Sequence, residues 1–212
     1  MKTLDDPSAA FATPFIGAVP AAESVGDEHV PFALRWPNSS SFAVSIYLSV
    51  RNGPRTILEL GFDERTHRLF DLTLVILPRD RYSAGSDPRR EVPVVDGLPR
   101  CEPATWLALT RTGSFNDYAD SYLRVTADVR LAVTPSEAVL YIDGIAGEVE
   151  RELASGRARF GVDARGAVAY VRLTELTARE AAALEVRMGR SVIRPMVLGA
   201  QQSGYSVMSD PY

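Results

Sequence analysis

The alternation of apolar and polar side chains in residues 41–50 constrains the fold of this chain more than any other feature. Five apolar side chains fall on one side of the segment: Phe42, Val44, Ile46, Leu48 and Val50. Successive side chains of an extended chain point to opposite faces, so this pattern predicts a strand with one buried face. Turn residues follow at 51–54 and residues 56–62 alternate again, which predicts a hairpin.

Further strands are predicted along the rest of the chain. Residues 68–77 follow a polar turn and would extend the first hairpin to an antiparallel meander. In the second half, alternation predicts strands at 123–133, 138–143, 157–163 and 167–173, and the first two of these are predicted to pair as a hairpin across residues 134–137. The predicted fold class is therefore α+β and mainly antiparallel β, with one or two short helices.

The chain is interpreted as a single β-rich domain over residues 1–212. Two meander halves are expected within it, at 30–80 and 120–198. Residues 78–120 are rich in proline and glycine, so they are predicted to be a long connection between the halves.

Two segments about a hundred residues apart have nearly the same pattern. Residues 61–74 read GFDERTHRLFDLTL, and residues 161–174 read GVDARGAVAYVRLT. Each predicts a strand, a turn that begins with an aspartate (Asp63 or Asp163) and a second strand. A duplication explains the similarity, but so does the local preference of such turns for aspartate and glycine.

Two helices are predicted. A short one should begin near Pro103 and include Trp106. The second should begin with a capping box, in which Thr177 and Glu180 each accept a hydrogen bond from the other's backbone amide, and should end at Gly189.

Composition excludes several classes of function. A formal net charge of −4 argues against a general nucleic-acid binder. No stretch approaches the roughly 20 apolar residues of a membrane span, and Pro14 and Pro20 interrupt the apolar N-terminal segment, which is predicted to be extended rather than a signal peptide. Cys101 is the single cysteine, so a cytoplasmic protein is expected, with Cys101 an ordinary buried or half-buried thiol.

Catalytic residues are sparse. The chain has two histidines, His29 and His67, too few to suggest a zinc site, and no glycine-rich phosphate-binding motif, so no metal or cofactor is predicted. Both histidines are interpreted first as solvated residues. The alternative is a histidine that acts as general base beside a carboxylate. The nearby carboxylates are Asp27, Glu28, Asp63 and Asp71.

Carboxylates are concentrated in residues 143–152, at Asp143, Glu148, Glu150 and Glu152. In an extended segment the three glutamates would point to one side and form a row of negative charge. This row is interpreted as a solvated face balanced by arginines, as a contact surface for a basic protein, or as a hard-cation site without the spacing of a calcium loop. The arginines expected to balance it are Arg151, Arg157 and Arg159.

The hairpin segments 62–77 and 162–176 resemble the strand, aspartate turn and strand unit common in small bacterial immunity proteins. Such proteins neutralise the toxin domains of contact-dependent and other interbacterial competition systems. The resemblance implies a cytoplasmic protein without a reaction of its own that binds one cognate toxin domain. The carboxylates of 143–152 are then the candidate contact residues.

Two other functions fit the sequence. One is a small-molecule-binding or hydrolytic β-rich protein that uses His67 and neighbouring carboxylates. The other is a subunit of a larger assembly, in which the N-terminal and C-terminal segments wrap around a neighbour.

Overall fold

The computed structural model describes residues 2–24, 30–36, 45–85, 90–110 and 122–190. Strands dominate this part of the chain, which confirms the prediction of a mainly β fold with few helices. Several predicted features lie outside the described residues: Asp27, Glu28, His29, the first half of the alternating segment with Phe42 and Val44, and everything after Arg190.

In chain order the strands are β1 (Lys2–Thr3), β2 (Phe11–Ile16), β3 (Glu23–Ser24), β4 (Phe32–Arg35), β5 (Ser45–Arg51), β6 (Ile57–Asp63), β7 (Leu69–Ile76), β8 (Tyr82–Ala84), β9 (Val94–Cys101), β10 (Tyr122–Thr126), β11 (Asp128–Val133), β12 (Glu137–Asp143), β13 (Arg151–Ser155), β14 (Ala158–Val162) and β15 (Val168–Thr174). The α-helices of the described residues are α1 (Pro103–Thr110) and α2 (Ala178–Arg190). Short 3-10 turns occupy Pro7–Ala10, Gly53–Arg55 and Arg79–Arg81.

Seven strands form sheet 1, in the order β1-β10-β5-β6-β7-β4-β3. The predicted meander of β5, β6 and β7 is confirmed as antiparallel. Strand β10, which was expected in the second half, instead pairs with β5 in parallel. The second predicted half therefore contributes one strand to sheet 1, and the sheets are mixed rather than purely antiparallel.

Eight strands form sheet 2, in the order β2-β9-β13-β14-β15-β12-β11-β8. The predicted connection 78–120 is wrong where it overlooks β8 and β9. Gly97 is interpreted from the sequence as a strand breaker, but it lies within β9. A glycine is needed there because a Cβ would lie 2.2 Å from the carbonyl oxygen of Phe15. Glycine here allows the backbones of β2 and β9 to approach closely.

Residues 123–133 do not form the single strand that their alternation predicts. The chain leaves sheet 1 after β10 and enters sheet 2 as β11, with Ala127 at the crossing point. Val125 and Val129 are nevertheless both buried, one on each side of the crossing. The alternation survives because the inner faces of both sheets meet the same core.

This shared core makes the fold a two-sheet sandwich. Trp36, which follows β4, packs against Phe160 of β14 with ring centroids 5.5 Å apart, and its indole N–H donates to Ser155 Oγ at 2.7 Å. Phe11 of β2 meets Phe62 of β6 edge to face. Apolar residues of both sheets belong to one continuous cluster.

A five-strand arrangement occurs twice in the sandwich. Strands β3–β7 are ordered β5-β6-β7-β4-β3 in space, and strands β11–β15 are ordered β13-β14-β15-β12-β11. Neighbours within each unit are antiparallel. In both units the pairing register shifts directly after a glycine, Gly61 or Gly161. The two Gly-x-Asp segments therefore occupy equivalent places.

The predicted capping box of α2 is confirmed. The Thr177 N–H donates to Glu180 Oε2 at 2.8 Å, and the Glu180 N–H donates to Thr177 Oγ1 at 3.2 Å. The predicted end of the helix is wrong, because α2 includes Gly189 and continues to Arg190. A glycine costs a helix about 1 kcal/mol relative to alanine, so it does not by itself end one.

Gly161 is predicted to be required for packing on the outer face of sheet 2, because an added Cβ would lie 2.3 Å from the ring of Tyr170. We expect Gly161→Ala to lower the free energy of unfolding by about 1–3 kcal/mol, measured by urea denaturation. The matched control is Gly147→Ala, whose Cβ would have no neighbour closer than 3.6 Å. Equal losses in the two variants would contradict this role.

A pH dependence is predicted for α2. Hydrogen bonds from the Arg157 guanidinium, with further bonds from Thr177, lower the pKa of Glu180 from 4.5 to about 2. Because the pKa is lower in the folded state, the stabilisation is complete above the ordinary pKa and is lost as the pH falls towards 2. About a third of the Glu180 side chain is exposed, so solvent screening limits the effect to about 1 kcal/mol.

The measurement compares urea denaturation of wild type and Glu180→Gln across this pH range. The stability difference should shrink as the pH falls from about 5 to 2. Glu185→Gln changes an exposed carboxylate of the same helix and serves as the control. A difference for Glu180→Gln that does not vary with pH would contradict the assignment.

Candidate functional site

The carboxylates of residues 143–152 do not form the predicted row. Strand β12 ends at Asp143, where Gly144 adopts a left-handed conformation with φ of +90°, and a loop leads to β13 at Arg151. The exposed fractions of the four side chains are 50% for Asp143, 77% for Glu148, 52% for Glu150 and 6% for Glu152. Three are on the surface, and the expectation of exposure is wrong for Glu152.

Glu152 lies on the outer face of sheet 2, under other side chains. Its carboxylate accepts hydrogen bonds from Tyr170 Oη at 2.8 Å and from Arg172 Nη2 at 2.5 Å. Arg172 also forms an ion pair with Glu137 at 3.5 Å. A buried carboxylate requires such partners, so Glu152 organises the sheet surface rather than presenting a charge to solvent.

Glu152 belongs to a row of side chains that crosses the outer face of sheet 2. Neighbouring strands contribute one residue each, in register: Glu152, Gly161, Tyr170, Tyr141 and Arg130. Because Gly161 has no side chain, Tyr170 lies across it and reaches Glu152. The rings of Tyr170 and Tyr141 meet edge to face, and the Arg130 guanidinium lies 4.0 Å from the Tyr141 ring centroid.

The sequence did not indicate the aromatic and arginine residues of this row. The alternation does place Tyr141 and Arg130 on the polar face of the predicted hairpin at 123–143. The pairing register of β11 and β12 was needed to place them opposite each other.

Each exposed carboxylate has an arginine neighbour. Asp143 pairs with Arg130 at 2.9 Å, Glu148 with Arg90 at 2.6 Å and Glu150 with Arg151 at 3.7 Å. Of the arginines expected to balance these charges, Arg151 does so, whereas Arg157 binds Glu180 and Arg159 donates to backbone carbonyls. Ion pairs exposed to this degree contribute about 0–1 kcal/mol, so the carboxylates can exchange partners at little cost.

The backbone of the loop between β12 and β13 is held in place. The Gly147 N–H donates to Asp163 Oδ2 at 2.9 Å, and the Glu150 N–H donates to the Val162 carbonyl at 2.9 Å. Ile145 is buried in the shared core. We call residues 143–150, with the exposed Asp143, Glu148 and Glu150, the acidic loop.

His67 lies in the turn between β6 and β7 and adopts a left-handed conformation with φ of +58°. Its N–H donates to the Asp63 carbonyl at 2.7 Å, and its own carbonyl accepts the Cys101 N–H at 2.9 Å. The Asp63 carboxylate is occupied by the turn itself, because Oδ1 accepts from the backbone amides of Arg65 and Thr66 and from Thr66 Oγ1. The prediction that Asp63 is a turn residue is confirmed.

The other candidate carboxylate for His67 also has its own partners. Asp71 lies on the outer face of sheet 1, where Oδ1 accepts from Arg35 Nε at 3.3 Å and Oδ2 from Thr73 Oγ1 at 3.1 Å. In the described part of the chain, no hydrogen bond joins the His67 imidazole to Asp63 or Asp71. His67 thus contributes its backbone, rather than its imidazole, to the hydrogen bonds of the turn.

Glu59 lies near Asp71 on the outer face of sheet 1, in register with Thr73 on the adjacent strand. Partial burial raises the pKa of Glu59, an effect that the Arg51 charge opposes and the Asp71 charge reinforces.

Cys101 is buried, as predicted. Burial raises the pKa of its thiol to about 12, so the nucleophilic thiolate is scarce at neutral pH.

The described residues contain no group of three or more histidine, cysteine, aspartate or glutamate side chains that could hold a metal ion. None of their helices is long and apolar enough to cross a membrane.

The left-handed conformation of His67 leads to a prediction about this turn. Glycine adopts such a conformation without strain, whereas a β-branched residue does not. We expect His67→Gly to change the free energy of unfolding by less than about 1 kcal/mol, and His67→Val to lower it by about 1–2 kcal/mol. Arg65→Val, at an exposed position of the same turn, is the control, and tolerance of valine at both positions would contradict the prediction.

A scan of the chain against protein-family models finds no match, and a search of the curated proteins finds no significant match either.

Proposed function

We propose that this protein is a cytoplasmic immunity protein that binds a cognate bacterial toxin domain through the acidic loop and neutralises it. One observation carries the proposal. Three exposed carboxylates lie on a loop whose backbone is already fixed by the buried carboxylate of Asp163.

A fixed loop favours binding because its backbone loses little conformational freedom when a partner docks. The negative side chains complement a basic surface, such as the active-site cleft of a toxin that acts on nucleic acid. Their present ion pairs with Arg90, Arg130 and Arg151 are exposed and weak, so the arginine residues of a partner can replace them.

The surface beside the acidic loop supports the same function. Arg130 contacts both Asp143 of the loop and the ring of Tyr141. Tyrosine and arginine are enriched among residues that dominate binding energies in protein interfaces. The buried hydrogen bond from Tyr170 to Glu152 supports this surface, and neither residue is expected to contact the partner directly.

The proposal predicts a large toxin gene immediately upstream of the gene for this chain, and it is tested with the C-terminal domain which that toxin gene encodes. The wild-type chain should bind this domain and rescue cells that express it, and failure of both would overturn the proposal.

In Glu148→Lys/Glu150→Lys, we expect the association rate to fall about tenfold and to depend less on salt.

A charge-matched variant controls for this effect. Glu23→Lys/Glu185→Lys reverses two exposed carboxylates elsewhere and changes the net charge equally. Its association rate should stay near that of the wild type. If both double variants slow association equally, the effect belongs to net charge, and the acidic loop is not the contact surface.

We also infer that the two five-strand units arose by duplication. The support is their common strand order together with the register shift after Gly61 and after Gly161, each two residues before the turn aspartate. Sequences of homologous chains test this inference. The two units should be more alike in some homologues than they are here, and units that are everywhere no more alike than unrelated hairpins would contradict it.

A further inference from the structure

We infer that Asp163 is the positioning residue of the acidic loop, and that partner binding depends on its second carboxylate oxygen. This inference rests on the proposed function for its binding consequence. Its structural part rests on a contrast between Asp163 and Asp63, the equivalent aspartate of the other five-strand unit.

Both aspartates use one oxygen to form their own turn. Asp63 Oδ1 accepts from the backbone amides of Arg65 and Thr66. Asp163 Oδ1 accepts from the backbone amides of Arg165 and Ala167, both at 2.9 Å. Both residues are buried, with exposed fractions of 3% and 5%. The turns therefore need an oxygen acceptor at each position, and one oxygen suffices.

The second oxygens differ. Asp163 Oδ2 accepts the Gly147 N–H at 2.9 Å and so joins the acidic loop to the turn between β14 and β15. Asp63 Oδ2 is buried and has no hydrogen-bond partner within the described residues. Asp163 thus serves a second segment of the chain, which Asp63 does not.

Because the second oxygens differ, replacement by asparagine is expected to break a hydrogen bond at Asp163 and none at Asp63. Around Asp163 every partner is an N–H donor, so an asparagine amide must turn its NH₂ towards at least one donor and lose that bond. At Asp63 an asparagine oxygen can keep all the turn bonds while its NH₂ takes the place of an oxygen without a partner. Asp63→Asn is therefore a matched control for Asp163→Asn.

Hydrogen exchange of the Gly147 amide, followed by NMR, tests the structural part. Asp163→Asn should raise its exchange rate about tenfold or more, because the acceptor is lost. Asp63→Asn should leave the rate unchanged. An unchanged rate in Asp163→Asn, or an equal rise in both variants, would overturn the inference.

Association with the upstream-encoded toxin domain tests the binding part. Asp163→Asn should lower the association rate several-fold while the charges of Glu148 and Glu150 remain, and Asp63→Asn should not. Gly147→Pro removes the donated hydrogen and leaves Asp163 intact, so it should also lower the rate and covers the case that Asp163→Asn does not fold.

The outcomes separate this inference from the proposed function. Faster exchange at Gly147 with unchanged association would overturn the positioning role in binding. Absence of binding by the wild-type chain would overturn the proposed function and, with it, the binding part of this inference, while the exchange result would still decide whether Asp163 holds the loop.

Discussion

The inner faces of both sheets are buried in one apolar core, and this constraint determines where polar chemistry can occur. Each strand gives the core one face, so charged side chains are confined to the outer faces, the turns and the loops. The crossing at Ala127 illustrates the constraint. One run of alternating residues serves both sheets because the side that faces inward stays the same when the chain changes sheet.

Buried charge is tolerated only where the fold supplies specific partners. Glu152 has Tyr170 and Arg172, and Asp163 has three amide donors. Removal of such a partner leaves a desolvated charge, which costs more than the pair contributes. Substitution is therefore restricted at these residues, whereas the exposed carboxylates of the acidic loop form only weak ion pairs and are less restricted.

Sequence periodicity predicted the strands whose alternation is uninterrupted and whose turns are polar. It predicted the β5–β6–β7 meander and the β11–β12 and β14–β15 hairpins, and the capping box located the start of α2. It did not predict β9, because Gly97 is required by a close approach of β2 that no local pattern records. Parallel pairing of β10 with β5 joins residues distant in sequence and was equally inaccessible.

The candidate site shows the same division between local and long-range information. Carboxylates at alternate positions predicted one row, but Gly144 ends the strand and the four side chains separate into exposed and buried classes. The repeated Gly-x-Asp segments predicted two equivalent turns and said nothing of the second oxygen of Asp163, whose partner lies 16 residues away. A turn motif that is present twice in the chain thus makes an additional contact at one of its two positions, beside the loop that carries the exposed charges. Under the proposed function, that additional contact distinguishes the turn that positions a recognition loop from the turn that serves the fold alone.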